Sequence, residues 1–156
     1  MKAKAIALML ATLLESASLL AQQDPFIGTW KLNLAKSKYS PGPALKSETV
    51  MLEPYGKSGQ KLIADGVNAQ GAPTHMDWSA EFDGKDYPVK GSQISDTLSL
   101  KRIGPNIEEA TFKKGGKATV TLRAVVSKDG KTTTTTSTGT DAQGQRVDNV
   151  AVYDRQ

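Results

Sequence analysis

The sequence predicts an all-β chain, and three observations carry that prediction. Beyond roughly the first two dozen residues helical periodicity is nearly absent. Short runs of alternating apolar and polar residues recur about every ten to fourteen positions. Gly, Asp-Gly and Pro clusters, which punctuate strands, separate those runs. A sheet rolled around its own core and a pair of stacked sheets give the same alternation, so the pattern leaves barrel and sandwich open.

The chain begins with a candidate leader. Lys2 and Lys4 precede a ten-residue apolar stretch, Ala5 to Leu14, which is too short to span a bilayer. Small residues follow, and Ala21 suits the last position before cleavage. Glu15 interrupts the apolar run, and Leu19 is bulky for its place before the cut. Residues 1–21 are therefore expected to be a signal peptide and 22–156 one domain, exported to the periplasm or the medium. An amphipathic helix that stays attached is the alternative.

The first strand is expected over 27–34, with Gly28, Trp30, Leu32 and Leu34 on one face and Thr29, Lys31 and Asn33 on the other. Residues 35–46 contain Pro41-Gly42-Pro43, which cannot continue a helix. Strands follow at 47–53 and 60–66. The turn Asn68-Ala69-Gln70-Gly71 has a near-copy at Asp141-Ala142-Gln143-Gly144, each two residues after a glycine, Gly66 or Gly139. Both read as one turn type with its last glycine left-handed. In 73–82, Met76, Trp78, Ala80 and Phe82 oppose His75, Asp77, Ser79 and Glu81. A short strand is expected near Tyr87 to Val89.

In 97–103, Leu98 and Leu100 share a face that Arg102 continues. In 107–114, Ala110 and Phe112 point together, and Gly115-Gly116 supplies a tight turn. In 117–127, Ala118, Val120, Leu122, Ala124 and Val126 form the apolar face. Asp129-Gly130 predicts a type I′ hairpin. Thr132 to Thr136, with Ser137 and Thr138, suit a strand over 131–139 without an apolar face. That strand is either an edge or a hydroxyl-lined inner wall. The last strand spans 146–154.

Composition narrows the function. Removing the leader leaves a net charge of +3 on residues 22–156, with no block of Lys and Arg alternating with aromatics, so no nucleic-acid partner is expected. There is no cysteine, hence no disulfide framework and no lipoprotein anchor. No later segment is apolar enough for stable membrane insertion. His75 shares a face with Asp77, Ser79 and Glu81, but residues two apart on a strand stand about 6–7 Å apart, too far for a relay. No catalytic residue, metal site or cofactor is assigned.

Phe26-Ile27-Gly28-Thr29-Trp30-Lys31-Leu32 resembles the first strand of the intracellular lipid-binding proteins, and Gly28-x-Trp30 is similar to the lipocalin signature. Val152-Tyr153-Asp154-Arg155 resembles the closing strand of the fatty-acid-binding proteins. The chain thus resembles a small exported bacterial member of the calycin superfamily. That resemblance implies a single up-and-down antiparallel β-barrel of about 8–10 strands. It also implies that Gly28 and Trp30 are structural, Trp30 plugging the closed end with Arg155 or Arg146 stacked on it.

Two departures matter: no helical lid is expected in 35–46, and Ala151 stands where that family's carboxylate-reading Arg would be. The expected partner is a small hydrophobic or amphipathic ligand. Met76, Trp78, Phe82 and Phe112 would line its site, and Arg102 or Tyr153 would offer a polar contact. Small neighbours such as Ala80, Ala110, Ala118 and Ala124 leave room for it. The alternative is a filled barrel that works through its surface, at Tyr39 to Pro43 or Tyr55 to Gly59.

Overall fold

The computed structural model describes residues 23–141 and 144–156. The expected signal peptide, 1–21, and two residues of the repeated turn, Ala142 and Gln143, lie outside them. Among the described residues ten antiparallel strands close into one barrel, each paired with its neighbour in sequence and the last with the first. They are β1 (Gly28–Leu32), β2 (Ser47–Tyr55), β3 (Gly59–Val67), β4 (Pro73–Ala80), β5 (Tyr87–Lys90), β6 (Thr97–Gly104), β7 (Ile107–Lys114), β8 (Lys117–Val126), β9 (Thr132–Thr140) and β10 (Arg146–Arg155). Closure on itself leaves no sheet edge to protect.

Alternation sets the faces. Trp30, Leu52, Ala64, Trp78, Ala80, Leu98, Leu100, Ala110, Ala124 and Val126 are buried inside. Cross-strand register lines them up in rows: Trp30 opposes Val50, Val50 opposes Ala64, and Ala64 opposes Met76. Around the other side, Leu100 opposes Ala110, Ala110 opposes Leu122, and Phe112 opposes Val120. Such pairs are the unit of sheet stabilisation.

The structure corrects several local expectations. β1 stops at Leu32. Leu34 begins a short 3-10 turn, Leu34–Lys36, capped by the Asn33 side chain, and is exposed. Ala118 is exposed because the β7–β8 register slips between Phe112 and Lys113, and the shift throws Ala118 off the inner face. Asp129 keeps a negative φ while Gly130 takes +69°, so that hairpin is not type I′. Gly115 and Gly116 both have positive φ, as a type I′ turn needs.

The repeated turn is confirmed at its ends. Gly71 N–H donates to the Asn68 carbonyl and Gly144 N–H to the Asp141 carbonyl, each at 3.0 Å, and both glycines have positive φ. The Thr-rich β9 is no edge: it pairs along its length with β8 and β10.

One end of the barrel is sealed. The 23–27 segment folds under β1, and the Trp30 indole N–H donates to the Phe26 carbonyl at 2.8 Å. The Arg155 guanidinium lies 4.1 Å from the Trp30 ring centre. It also donates to the Ile27 carbonyl at 2.8 Å, to the Gly130 carbonyl at 2.7 Å and to the Pro25 carbonyl. Gly28 beside it has φ +139°, a conformation that L side chains rarely adopt, and a Cβ there would meet Arg155 Nη1 at 2.6 Å. Arg155, at the closed-end terminus of β10, makes the stack; Arg146 is exposed at the strand's other end.

At the opposite end the 33–46 segment carries no helix beyond the 3-10 turn, so there is no helical lid. It continues the course of β1 along β10: Lys38 exchanges backbone hydrogen bonds with Val150, and the Asp148 N–H donates to the Ser40 carbonyl.

Candidate functional site

The barrel is not filled. A cavity of about 230 Å³ occupies its interior. Its wall is mostly apolar: Val50 and Leu52 of β2, Leu62 and Ala64 of β3, and Met76 and Trp78 of β4. Leu100, Ala110, Phe112, Leu122 and Ala124 complete it from β6 to β8. Alternation alone delivers these side chains inward, and the alanines leave the space. Phe26 and Trp30 form the floor.

The polar part of the wall comes from Glu48, Glu108, Thr133, Thr135 and Tyr153. Glu108 is buried next to the floor. Its Oε2 accepts from Gln60 Nε2 at 3.1 Å and lies 3.5 Å from Arg102 Nη1. Arg102 also pairs with Asp24, which in turn accepts from Gln60 at 3.3 Å. Desolvation pushes the Glu108 carboxyl up to about 7, and the neighbouring Arg102 only partly offsets it.

Glu48 sits on the wall and accepts a 2.5 Å hydrogen bond from the Tyr153 hydroxyl. Burial raises the Glu48 carboxyl above its ordinary range, against the lowering effect of that bond. Burial likewise drives the Tyr153 phenol well upward, and the Glu48 charge adds to the shift. Both acids thus resist ionising inside an apolar wall.

Of the ligand-contact candidates from sequence, Met76, Trp78, Phe112 and Tyr153 lie on the cavity wall. Phe82 and Arg102 do not. The Arg102 guanidinium is held between the rings of Phe82 and Phe26, 4.2 and 5.0 Å from their centres. Register places Arg102 directly opposite Glu108, on the same inner face; its guanidinium turns away from the cavity to Asp24 and the Phe26 ring. Ala151, in the place of the carboxylate-reading Arg, is buried and brings no charge.

Sequence reasoning missed Glu48 and Glu108. Both were legible by strict period two: Glu48 is in phase with Val50 and Leu52, Glu108 with Ala110 and Phe112. His75 lies on the outer face, its Nδ1 2.7 Å from Asp65 and its Nε2 3.7 Å from Asp77. The hydrogen bond to Asp65 is the main cause that raises its pKa.

No protein-family model matches the sequence, and no curated protein matches it either. Among solved structures the chain is similar to the fluorescent protein UnaG, with a TM-score of 0.56 at 15% identity, over 84% of this chain and 97% of that one. It is also similar to the zebrafish ileal bile acid-binding protein complexed with cholic acid, with a TM-score of 0.54 at 14% identity, over 85% and 99%. At such identity the likeness shows a shared closed antiparallel β-barrel fold and no more.

Proposed function

We propose that this protein is an exported binding barrel that holds one small, largely apolar ligand in its interior. The observation that carries the reading is the apolar cavity inside a barrel sealed at the Trp30 end. Its volume lies below the roughly 300–1,000 Å³ of pockets that bury drug-sized molecules, which favours a compact ligand. The zebrafish protein, crystallised with cholic acid, holds a larger molecule in a barrel of the same class. Met76, Trp78, Phe112 and Tyr153 are the proposed contacts from the sequence, with Leu62 and Leu122 completing the apolar wall. The basic n-region and apolar stretch of residues 1–14 support export.

Native mass spectrometry of gently purified protein tests this, together with a cavity-filling variant, Ala110→Phe. The expected result is an added mass lost on organic extraction, and absent from the variant although it folds with unchanged or higher stability. A variant that keeps its cargo, or a bare protein that binds no offered apolar compound, refutes interior binding.

A further inference from the structure

We propose that the cavity is built for a small amphipathic cation, a protonated amine on a compact apolar body, rather than for a carboxylate. This rests on the interior-binding reading above and names its ligand class. Among the described residues, the two charged side chains on the cavity wall are Glu48 and Glu108, both acids, and no Lys, Arg or His joins them.

The charge balance near the floor points the same way. Arg102 faces two acids, Asp24 and Glu108, and lies outside the wall. Its Nη1 is buried without a hydrogen bond among the described residues, 3.5 Å from Glu108 Oε2, yet the trio of Arg102, Asp24 and Glu108 is one negative charge in excess when Glu108 ionises. Among the described residues Glu48 has the Tyr153 hydroxyl as its partner and no ion-paired cation. An incoming carboxylate would meet these two acids in a poorly solvated space. An ammonium would bring them a counter-charge and hydrogen-bond donors, offsetting part of the cost of their burial.

Independent of the acids, Thr133 lines the cavity at 6% exposure, and its Oγ1 has no hydrogen-bond partner among the described residues. A hydroxyl can accept from an ammonium. The Trp78, Phe112 and Tyr153 side chains also line the wall. Their aromatic faces attract cations. The indole N–H of Trp78, also unpartnered, remains for an acceptor elsewhere on such a ligand.

The test is calorimetric titration of the protein with three probes of one chain length: octylamine, octan-1-ol and octanoate. At pH 8 the amine should bind roughly tenfold or more tighter than the alcohol, and the alcohol tighter than the carboxylate. Amine affinity should rise with pH through about 7, as Glu108 ionises, while the amine stays protonated. The groups that face these acids are Arg102, Asp24 and the neutral Gln60 at Glu108, and Tyr153 and Tyr39 at Glu48.

In Glu48→Gln or Glu108→Gln, amine affinity should fall about tenfold with alcohol affinity unchanged. Octanoate binding as tightly as octylamine, or both variants keeping full amine affinity, overturns the cation assignment and leaves interior binding standing. If none of the three probes binds, both readings fall together.

Discussion

Glu108 is a carboxyl held well above its ordinary range, and its effect on stability has a definite sign. Folded, its carboxyl titrates at about 7, against 4.5 for the free side chain. The folded protein therefore holds a proton that the unfolded chain has released between those values. Stability falls as pH rises through that window, and the full cost is present above pH 7. The Glu108→Gln variant escapes this cost. It is expected to match the native protein near pH 4.5 and to exceed it by roughly 2–3 kcal/mol at pH 8. Urea unfolding of both proteins at the two pH values checks this; equal stability at pH 8 would contradict it. The carboxylates were visible as inward-phased positions in the sequence. Their partners were not, because Asp24, Gln60 and Arg102 come from three separate segments that meet only when the barrel closes.

Among the elements, β5 is the weak one. It matches two residues with β4 and two with β6, whereas β9 and β10 match nine. Pro88 lacks an N–H to contribute. Opening free energies follow such local pairing, so the amides of Val89 and Lys90 are expected to exchange faster than those of β8 and β9. Hydrogen exchange read by mass spectrometry or NMR tests this, and uniform protection around the barrel would refute it. Strand positions were legible because each carries its own alternation and turn residues. Three local features were not. The slip beside Phe112, the 3-10 turn at Leu34 and the negative φ of Asp129 all depend on how a neighbouring strand receives the chain, which a single strand's pattern does not encode.

At the scale of the whole molecule, closure depends on the chain's two ends meeting. β1 pairs with β10, and Arg155 joins the 23–27 segment, the Trp30 ring and the Gly130 turn in one contact set. Arg155→Ala removes a charged donor from three carbonyls and a cation from an indole face. A loss of roughly 2–4 kcal/mol is expected, and Arg155→Lys should recover little of it, since an ammonium cannot reproduce the planar fork. Urea midpoints of the three proteins decide, and an unchanged midpoint in Arg155→Ala would remove the residue from the closure argument. The barrel itself was foreseeable from the two ends of the sequence, whereas alternation in the middle was equally compatible with a sandwich.

The 33–46 segment also governs time. It follows β10 and carries no helix that must melt before a molecule enters or leaves. For the guest proposed above, no helical gate would add to the exchange barrier. At a micromolar dissociation constant and about 10⁶ M⁻¹s⁻¹, a guest stays on the order of a second. Under the binding reading proposed above, such a container would equilibrate with its surroundings, acting as a buffer of free concentration rather than a sealed store.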